Sequence, residues 1–206
     1  MRDEDPTAIF EPLYVAAAEG HETLRWDRAG PHPLVEEWAR DVSGSGRRAL
    51  MVGSGFGPDA ELFAARGFDV VAFDVSPTAI ATARERFPRS GVDYRVANLL
   101  DPPADWREAF DLVVESLTVQ SMPVAFHAQA TASIARTVAP GGTLLVVAKA
   151  CDEAAGPVDG PPWPLTRAEV EAFAGDGLEP VRIEDIRRPD TPARWRAEFR
   201  RPRTRS

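Results

Sequence analysis

A short strand that runs into a glycine-rich turn and out into a helix, with an acid at the end of the next strand, leaves few folds open. Residues 49–52 (ALMV) are an apolar run, Gly53-Ser54-Gly55-Phe56-Gly57 places glycine at alternate positions, and Pro58-Asp59 opens a helical stretch that closes at Gly67. Glycine has no Cβ, so the backbone can turn tightly there and a ligand can approach it closely. Residues 69–73 form a second β-rich run ending in Asp74, and Ser76-Pro77 supplies a helix cap followed by proline at the first helical position. In a βαβ unit that acid lies beside the crevice at the carboxyl ends of the strands, where an acceptor-only carboxylate can hold both hydroxyls of a ribose.

The remainder keeps the alternation. Residues 92–96, 110–115 and 143–148 read as further strands, the last apolar throughout as a central parallel strand tends to be. Helices are predicted over 33–42, 58–66, 77–87 and 123–138, with Pro140-Gly141-Gly142 as a turn and Thr166/Glu169 as a capping box opening one more helix. Residues 178–184 and 194–199 alternate and predict a closing antiparallel pair, whereas residues 1–32 fit no strand–helix unit. The expectation is a single α/β domain with a mostly parallel sheet and right-handed crossovers. Residues 1–46 form an N-terminal lid segment with a first helix, and residues 47–206 form the main body.

The net charge of −8 argues against nucleic acid as a partner, since phosphates demand a basic footprint. No apolar run approaches a membrane span, and residues 1–10 are acidic rather than patterned as a signal peptide, so a cytoplasmic protein without a membrane partner is expected. Cys151 is the one cysteine, which excludes an internal disulfide and a thiolate cluster. His21, His32 and His127 lack metal-ligand spacing, so no metal is expected. The arginine-rich tail 200–206 reads as a solvated end.

The loop also discriminates between nucleoside ligands. A dinucleotide fingerprint would carry glycine where Pro58 stands, and a pyrophosphate needs free N–H groups at the helix start. Proline has none, and Asp59 repels phosphate. A phosphate-free, positively charged nucleoside such as S-adenosylmethionine suits the site better than NAD(P). An NAD(P)-dependent oxidoreductase and a non-catalytic S-adenosylmethionine-binding protein are the competing alternatives.

These motifs resemble class I methyltransferases. Val52–Gly57 is similar to their first motif, Phe73-Asp74-Val75-Ser76-Pro77 to their second, Phe110–Glu115 to the fourth strand, and Ala139-Pro140-Gly141-Gly142 to the turn before the fifth. The resemblance implies a Rossmann-like methyltransferase fold, a seven-stranded sheet with an antiparallel last strand and helices on both faces. It also implies S-adenosyl-L-methionine as cofactor, released as S-adenosyl-L-homocysteine. The cofactor residues it implies are Gly53, Ser54, Gly55, Gly57, Asp74, Val75, Asn98, Leu99 and Glu115. Asn98 either meets the adenine edge or caps the strand end, and Leu99 offers an apolar face to the ring. Glu115 either faces the sulfonium or the acceptor, or ends its strand in solvent.

A narrower resemblance runs to bacterial relatives of thiopurine methyltransferase, a branch with halide, thiol and tellurite methyltransferases. It rests on Trp26-Asp27 with Gly30-Pro31 and on Gly160-Pro161-Pro162-Trp163-Pro164-Leu165-Thr166. In that branch an N-terminal tryptophan segment closes over the cofactor, which places Trp26 at the site and Trp163 near it. Ser54 stands where cysteine is common and Phe56 where threonine or lysine is common. An N/D-P-P-Y/F motif after the fourth strand, the mark of nucleic-acid amino-methyltransferases, is missing; Asp101-Pro102-Pro103-Ala104 reads as a turn. His32 and Glu115 are the candidate bases, and His127 reads as structural. The absence of an obvious His/Asp pair favours a small-molecule acceptor that is soft or already ionised, such as a thiol or halide.

Overall fold

The computed structural model describes residues 6–151 and 160–203; residues 1–5, 152–159 and 204–206, the end of the arginine tail among them, lie outside the described part. The chain divides into two compact units, Met1–Asp101 and Pro102–Ser206.

In the first unit β1 (Arg48–Val52), β2 (Asp69–Asp74) and β3 (Asp93–Val96) are parallel and lie in the order β3-β2-β1. Leu50 faces Val71 and Ala72 faces Tyr94 across the ladder. Residues 49–52 and 70–73 are buried without interruption, as in a parallel sheet covered by its crossovers. The crossovers are α3 (Pro58–Ala65) and α4 (Pro77–Arg86). Ser76 caps α4 as its sequence predicts: its Oγ accepts from the N–H of Ala79 at 2.9 Å.

Two elements differ from expectation. Residues 1–32 contain α1 (Phe10–Ala18), which buries Tyr14 and packs on α4. Its first residue follows Ile9, which makes no side-chain cap, so the usual start signal is missing. The helix expected over 33–42 is α2 (Pro33–Trp38) followed by a 3₁₀ turn, Ala39–Asp41.

Gly57 ends the glycine loop at φ +95°, and a Cβ there would lie 2.3 Å from the Tyr94 hydroxyl oxygen. That hydroxyl is held at 2.7 Å from Glu61 Oε1. Gly57→Ala therefore combines left-handed strain with a clash and is expected to cost about 2 kcal/mol or more, seen as a melting temperature lower by about 5 °C in a thermal scan. An unchanged midpoint would show that the loop relaxes freely.

The second unit holds β4 (Phe110–Ser116), β5 (Val138–Lys149), β6 (Glu179–Ile186) and β7 (Arg194–Arg200), in the order β4-β5-β7-β6. β4 and β5 are parallel; β5–β7 and β6–β7 are antiparallel. The seven strands thus form the mostly parallel sheet with an antiparallel closing pair that the sequence predicts.

Between β4 and β5 the expected helix 123–138 shrinks to a 3₁₀ turn, Val124–Phe126, and α5 (His127–Ala135). Pro140-Gly141-Gly142 falls within the span of β5, where Gly141 takes the left-handed φ of a turn, +81°, and the register to β4 shifts between Phe110 and Leu112. The segment after β7 pairs with it there: Gly141 N–H donates to Arg201 O at 2.8 Å, and Arg201 N–H to Gly142 O at 3.0 Å. Past β5, α6 (Arg167–Glu171) opens with the predicted capping box, both halves formed.

Candidate functional site

Gly53, Gly55 and Gly57 all take positive φ, at 57°, 52° and 95°. This path lets the loop curl back on the end of β2: the Ser54 N–H donates to Phe73 O at 2.8 Å. The Gly55 N–H donates to Asp74 Oδ2 at 2.9 Å, and the Ser76 N–H to Asp74 Oδ1 at 3.0 Å. Asp74 is 5 % exposed. Burial raises its pKa above the ordinary carboxylate value, and the hydrogen bonds it accepts work against that rise.

The start of α3 repels phosphate in structure as in sequence. Gly57 is the N-cap with no side-chain cap, Pro58 lacks a donor, and Asp59 Oδ1 accepts from the His32 N–H at 2.6 Å. In the loop, Ser54 Oγ is buried with no hydrogen-bond partner among the described residues. An orphaned hydroxyl beside a bent glycine backbone and a ribose-competent carboxylate fits a bound nucleoside carrying an amino-acid tail.

The N-terminal segment packs beside the glycine loop, in a cluster of Tyr14, Leu24 and Phe56 against which Trp26 lies. Trp26 Nε1–H donates to the Tyr14 hydroxyl at 3.1 Å. The Tyr14 ring packs edge-on against Trp26, with centroids 6.2 Å apart, and against Phe56 of the loop at 5.2 Å. Asp27 takes a bidentate pair from Arg86 at 2.7 and 2.9 Å, and the Arg86 guanidinium sits 4.1 Å from the centroid of the Phe56 ring. Glu11 accepts from Ser76 Oγ, and from the Thr78 hydroxyl at 2.6 Å. Tyr14, Glu11 and Arg86 escaped the sequence analysis. Tyr14 and Glu11 lie on the helix without a start signal, and Arg86 reads as an ordinary cation in a helix's last turn.

The other candidates sit as follows. Asn98 Oδ1 accepts from the Leu100 N–H at 2.9 Å, closing the turn after β3, and Leu99 is buried. His32 is buried and its Nδ1 accepts from the Leu34 N–H at 3.1 Å, so that nitrogen caps α2 and is committed to the backbone. His127 lies between Glu169 Oε1 at 2.7 Å and Met122 O at 2.9 Å, the contacts of a structural histidine.

In the second unit Glu115 is not a solvated strand end; its exposure is 0 %. Leu117 takes φ +67°, which turns the following N–H groups back, so that Glu115 Oε1 accepts from Thr118 at 2.7 Å and Val119 at 3.0 Å. Oε2 is buried with no partner among the described residues. Burial pushes the Glu115 pKa up to about 7 against the pull of those two donors. Trp163 joins the same loop through its N–H to Gln120 O at 2.7 Å. Cys151 is half-buried. Among the described residues no group of three His, Cys, Asp or Glu side chains is placed to hold a metal, and no helix is long and apolar enough to cross a membrane.

Sheet order, glycine path and acid define a class of protein, and comparison with known proteins meets it. Residues 50–146 match the model of the methyltransferase domain family. Over that span the chain is similar to methyltransferases.

The ubiquinone biosynthesis O-methyltransferase of Aromatoleum aromaticum is 32% identical over 141 residues, 67% of this chain and 53% of that protein. The chain thus spans about half the length of such relatives. A probable thiol methyltransferase 2 of Arabidopsis thaliana is 26% identical over 163 residues, 78% of this chain and 71% of that protein. Among solved structures, Burkholderia thailandensis 1,6-didemethyltoxoflavin-N1-methyltransferase, with bound 1,6-didemethyltoxoflavin and S-adenosylhomocysteine, superposes at TM-score 0.73 with 17% identity. The match covers 98% of this chain and 92% of that one.

Proposed function

We propose that this protein is an S-adenosylmethionine-dependent methyltransferase whose acceptor is a small molecule bearing a thiol or an acidic hydroxyl. The observation that carries this is Asp74, clasped by the glycine loop and the start of α4 beside a helix start that refuses phosphate. When bound, the cofactor supplies an already activated methyl group on a sulfonium. The chain's own task is to hold the nucleoside, align the acceptor and exclude water.

Asp74 holds the ribose, the Gly53–Gly57 backbone takes the amino-acid tail with Ser54 as an added polar contact, and Leu99 flanks the base. A thiolate needs no further help. An acceptor that arrives protonated needs a proton acceptor, and we assign this to Glu115 Oε2. It is open, buried, and carried at the carboxyl end of a parallel strand, where such sheets bind their ligands. The names of the relatives, an O-methyltransferase and a thiol methyltransferase, support oxygen or sulfur as the receiving atom.

The test is release of S-adenosylhomocysteine from S-adenosylmethionine across aromatic and aliphatic thiols, phenols, iodide and small amines. Turnover of a thiol or phenol is expected, with no thermal stabilisation by NADH or NADPH. Silence across the panel with S-adenosylmethionine bound would favour a protein that binds without catalysing; failure to bind it would overturn the assignment.

A further inference from the structure

Lys149 is the one lysine among the chain's 24 lysines and arginines, so a compact ammonium stands where the chain otherwise places a planar fork. It is the last residue of β5 and half-buried. Its backbone is tied on both sides: the N–H donates to Gln120 Oε1 at 2.5 Å, and the carbonyl accepts from the Leu165 N–H at 2.9 Å. Gln120 O takes the Trp163 N–H at 2.7 Å. The loop after β4, the end of β5 and the segment 163–165 therefore meet at Lys149. That is the carboxyl end of two parallel strands, where such sheets bind ligands.

The register gives the ammonium its neighbours. Lys149 pairs with Arg194 of β7, and Arg194 with Ile186 of β6. Paired residues share a face with Cβ atoms about 5 Å apart, and like charges so placed repel. The acid in the next row of that face, Glu184, already receives Arg196 at 2.9 Å and Arg182 at 2.7 Å. The Lys149 ammonium has no hydrogen bond or ion pair among the described residues. On the same face Val147 pairs with Ser116, the last residue of β4, whose Oγ is buried with no hydrogen-bond partner among the described residues. A cation set opposite a cation, near an orphaned hydroxyl, is a group of donors that lacks an acceptor.

We propose that Lys149 and Ser116 form an anion subsite for the acceptor, so that the small molecule methylated carries a carboxylate. The ammonium supplies charge and the hydroxyl a directed hydrogen bond. One strand across and two residues along puts their Cα atoms about 8 Å apart, a gap that the lysine stem and one carboxylate fill. Glu115 precedes Ser116 on β4 and so lies on the opposite face. The acceptor's anionic end is thus held away from the Glu115 carboxylate.

The inference rests on the methyltransferase reading for its reaction, but binding tests it independently. The probes are para-mercaptobenzoate and its neutral match, para-mercaptobenzamide. Each is titrated into protein saturated with S-adenosylhomocysteine, and each is assayed as acceptor with S-adenosylmethionine. The parent should bind the acid about tenfold more tightly than the amide, the fold-change of one hydrogen bond to a charged group, and the preference should appear in KM rather than kcat. Lys149→Met should erase it while leaving affinity for the amide and for S-adenosylhomocysteine in place; Ser116→Ala should remove part of it. Because Lys149→Met relieves repulsion with Arg194, its ligand-free melting temperature should hold or rise.

Equal affinity of the parent for acid and amide would overturn the proposal. So would equal losses on both probes in Lys149→Met, or a lower melting temperature, either of which makes Lys149 a structural residue. Weaker S-adenosylhomocysteine binding by that variant would also overturn it, by giving the charge to the cofactor's own carboxylate. No turnover of either probe, with the acid still preferred by the parent and not by Lys149→Met, would sustain the subsite and strike at the methyltransferase reading alone. Were S-adenosylhomocysteine not to bind, the same titrations without it would decide the subsite on the same criterion.

Discussion

Asp74→Ala is expected to weaken S-adenosylhomocysteine binding by about a hundredfold or more. The carboxylate ends β2 beside the glycine loop, where it can receive ribose hydroxyls, and a hydrogen bond to a charged group contributes about 1.5–3 kcal/mol. Its loss also strands the donors it satisfies. The Gly55 and Ser76 N–H groups, at 2.9 and 3.0 Å, would be left buried without acceptors. Each would cost about 1–3 kcal/mol. The glycine loop and the α4 start should both loosen, so the melting temperature should fall alongside affinity.

Asp74→Asn separates the two effects, since it keeps the shape and one carbonyl acceptor while giving up the charge. It should fold better than the alanine variant and still bind poorly. Near-normal calorimetric affinity in either variant would remove the ribose assignment.

Glu115→Gln should move stability and rate in opposite directions. Burial raises the folded pKa of Glu115 from the ordinary 4.5 to about 7. Below pH 4.5 the group is protonated folded or unfolded and costs nothing. Between there and 7 the unfolded chain holds fewer protons than the folded one, so stability falls as pH rises, by an amount that levels off above 7 at about 3 kcal/mol. Glutamine keeps an acceptor for the Thr118 and Val119 N–H groups and removes the buried charge. The variant should therefore match the parent near pH 4.5 and be more stable at pH 8 in denaturant titrations.

Its turnover with a protonated acceptor such as a phenol should drop by about 10²–10⁴-fold. The parent's rate should rise with pH through about 7 as the carboxylate forms, and the variant should lose that limb. Binding of S-adenosylhomocysteine should be unaffected. Full activity in a more stable Glu115→Gln protein would show that the carboxylate serves the loop after β4 and no proton transfer.

The βαβ core was legible because local chemistry and tertiary need coincide there. The glycines of the first loop have no alternative to a tight path, Ser76-Pro77 starts a helix in any context, and the apolar runs 49–52 and 143–148 must be buried. Asp74 was identifiable because its place follows from the period of a βαβ unit. Pro140-Gly141-Gly142, by contrast, reads locally as a turn. Gly141 does take the left-handed φ of a turn, at +81°, yet the segment stays within β5 through Arg201, a partner 60 or so residues away whose guanidinium also reaches Val138 O at 2.7 Å and Ala135 O at 2.9 Å. Long-range pairing sets that turn inside a strand, and no window of sequence contains both partners.

Asn98 and Glu115 each carried two alternatives that composition and spacing left level. The structure shows Asn98 Oδ1 closing its own turn, and shows Glu115 wholly buried with one oxygen capped and one open.

What the sequence by itself determined, then, is the order of strands and helices, the glycine loop, the acid that faces it, and the exclusion of phosphate by Pro58 and Asp59. All of these depend on residues within one βαβ unit, where chain geometry leaves little freedom. Only the tertiary structure decided which side chains from distant segments share that site. Tyr14 reaches Phe56 of the loop and Trp26 reaches Tyr14, Glu11 reaches Ser76 and Thr78, and Asp27 finds Arg86. Contacts of that separation are selected by packing of the whole unit, because each alone is too weak to offset the entropy of bringing its ends together.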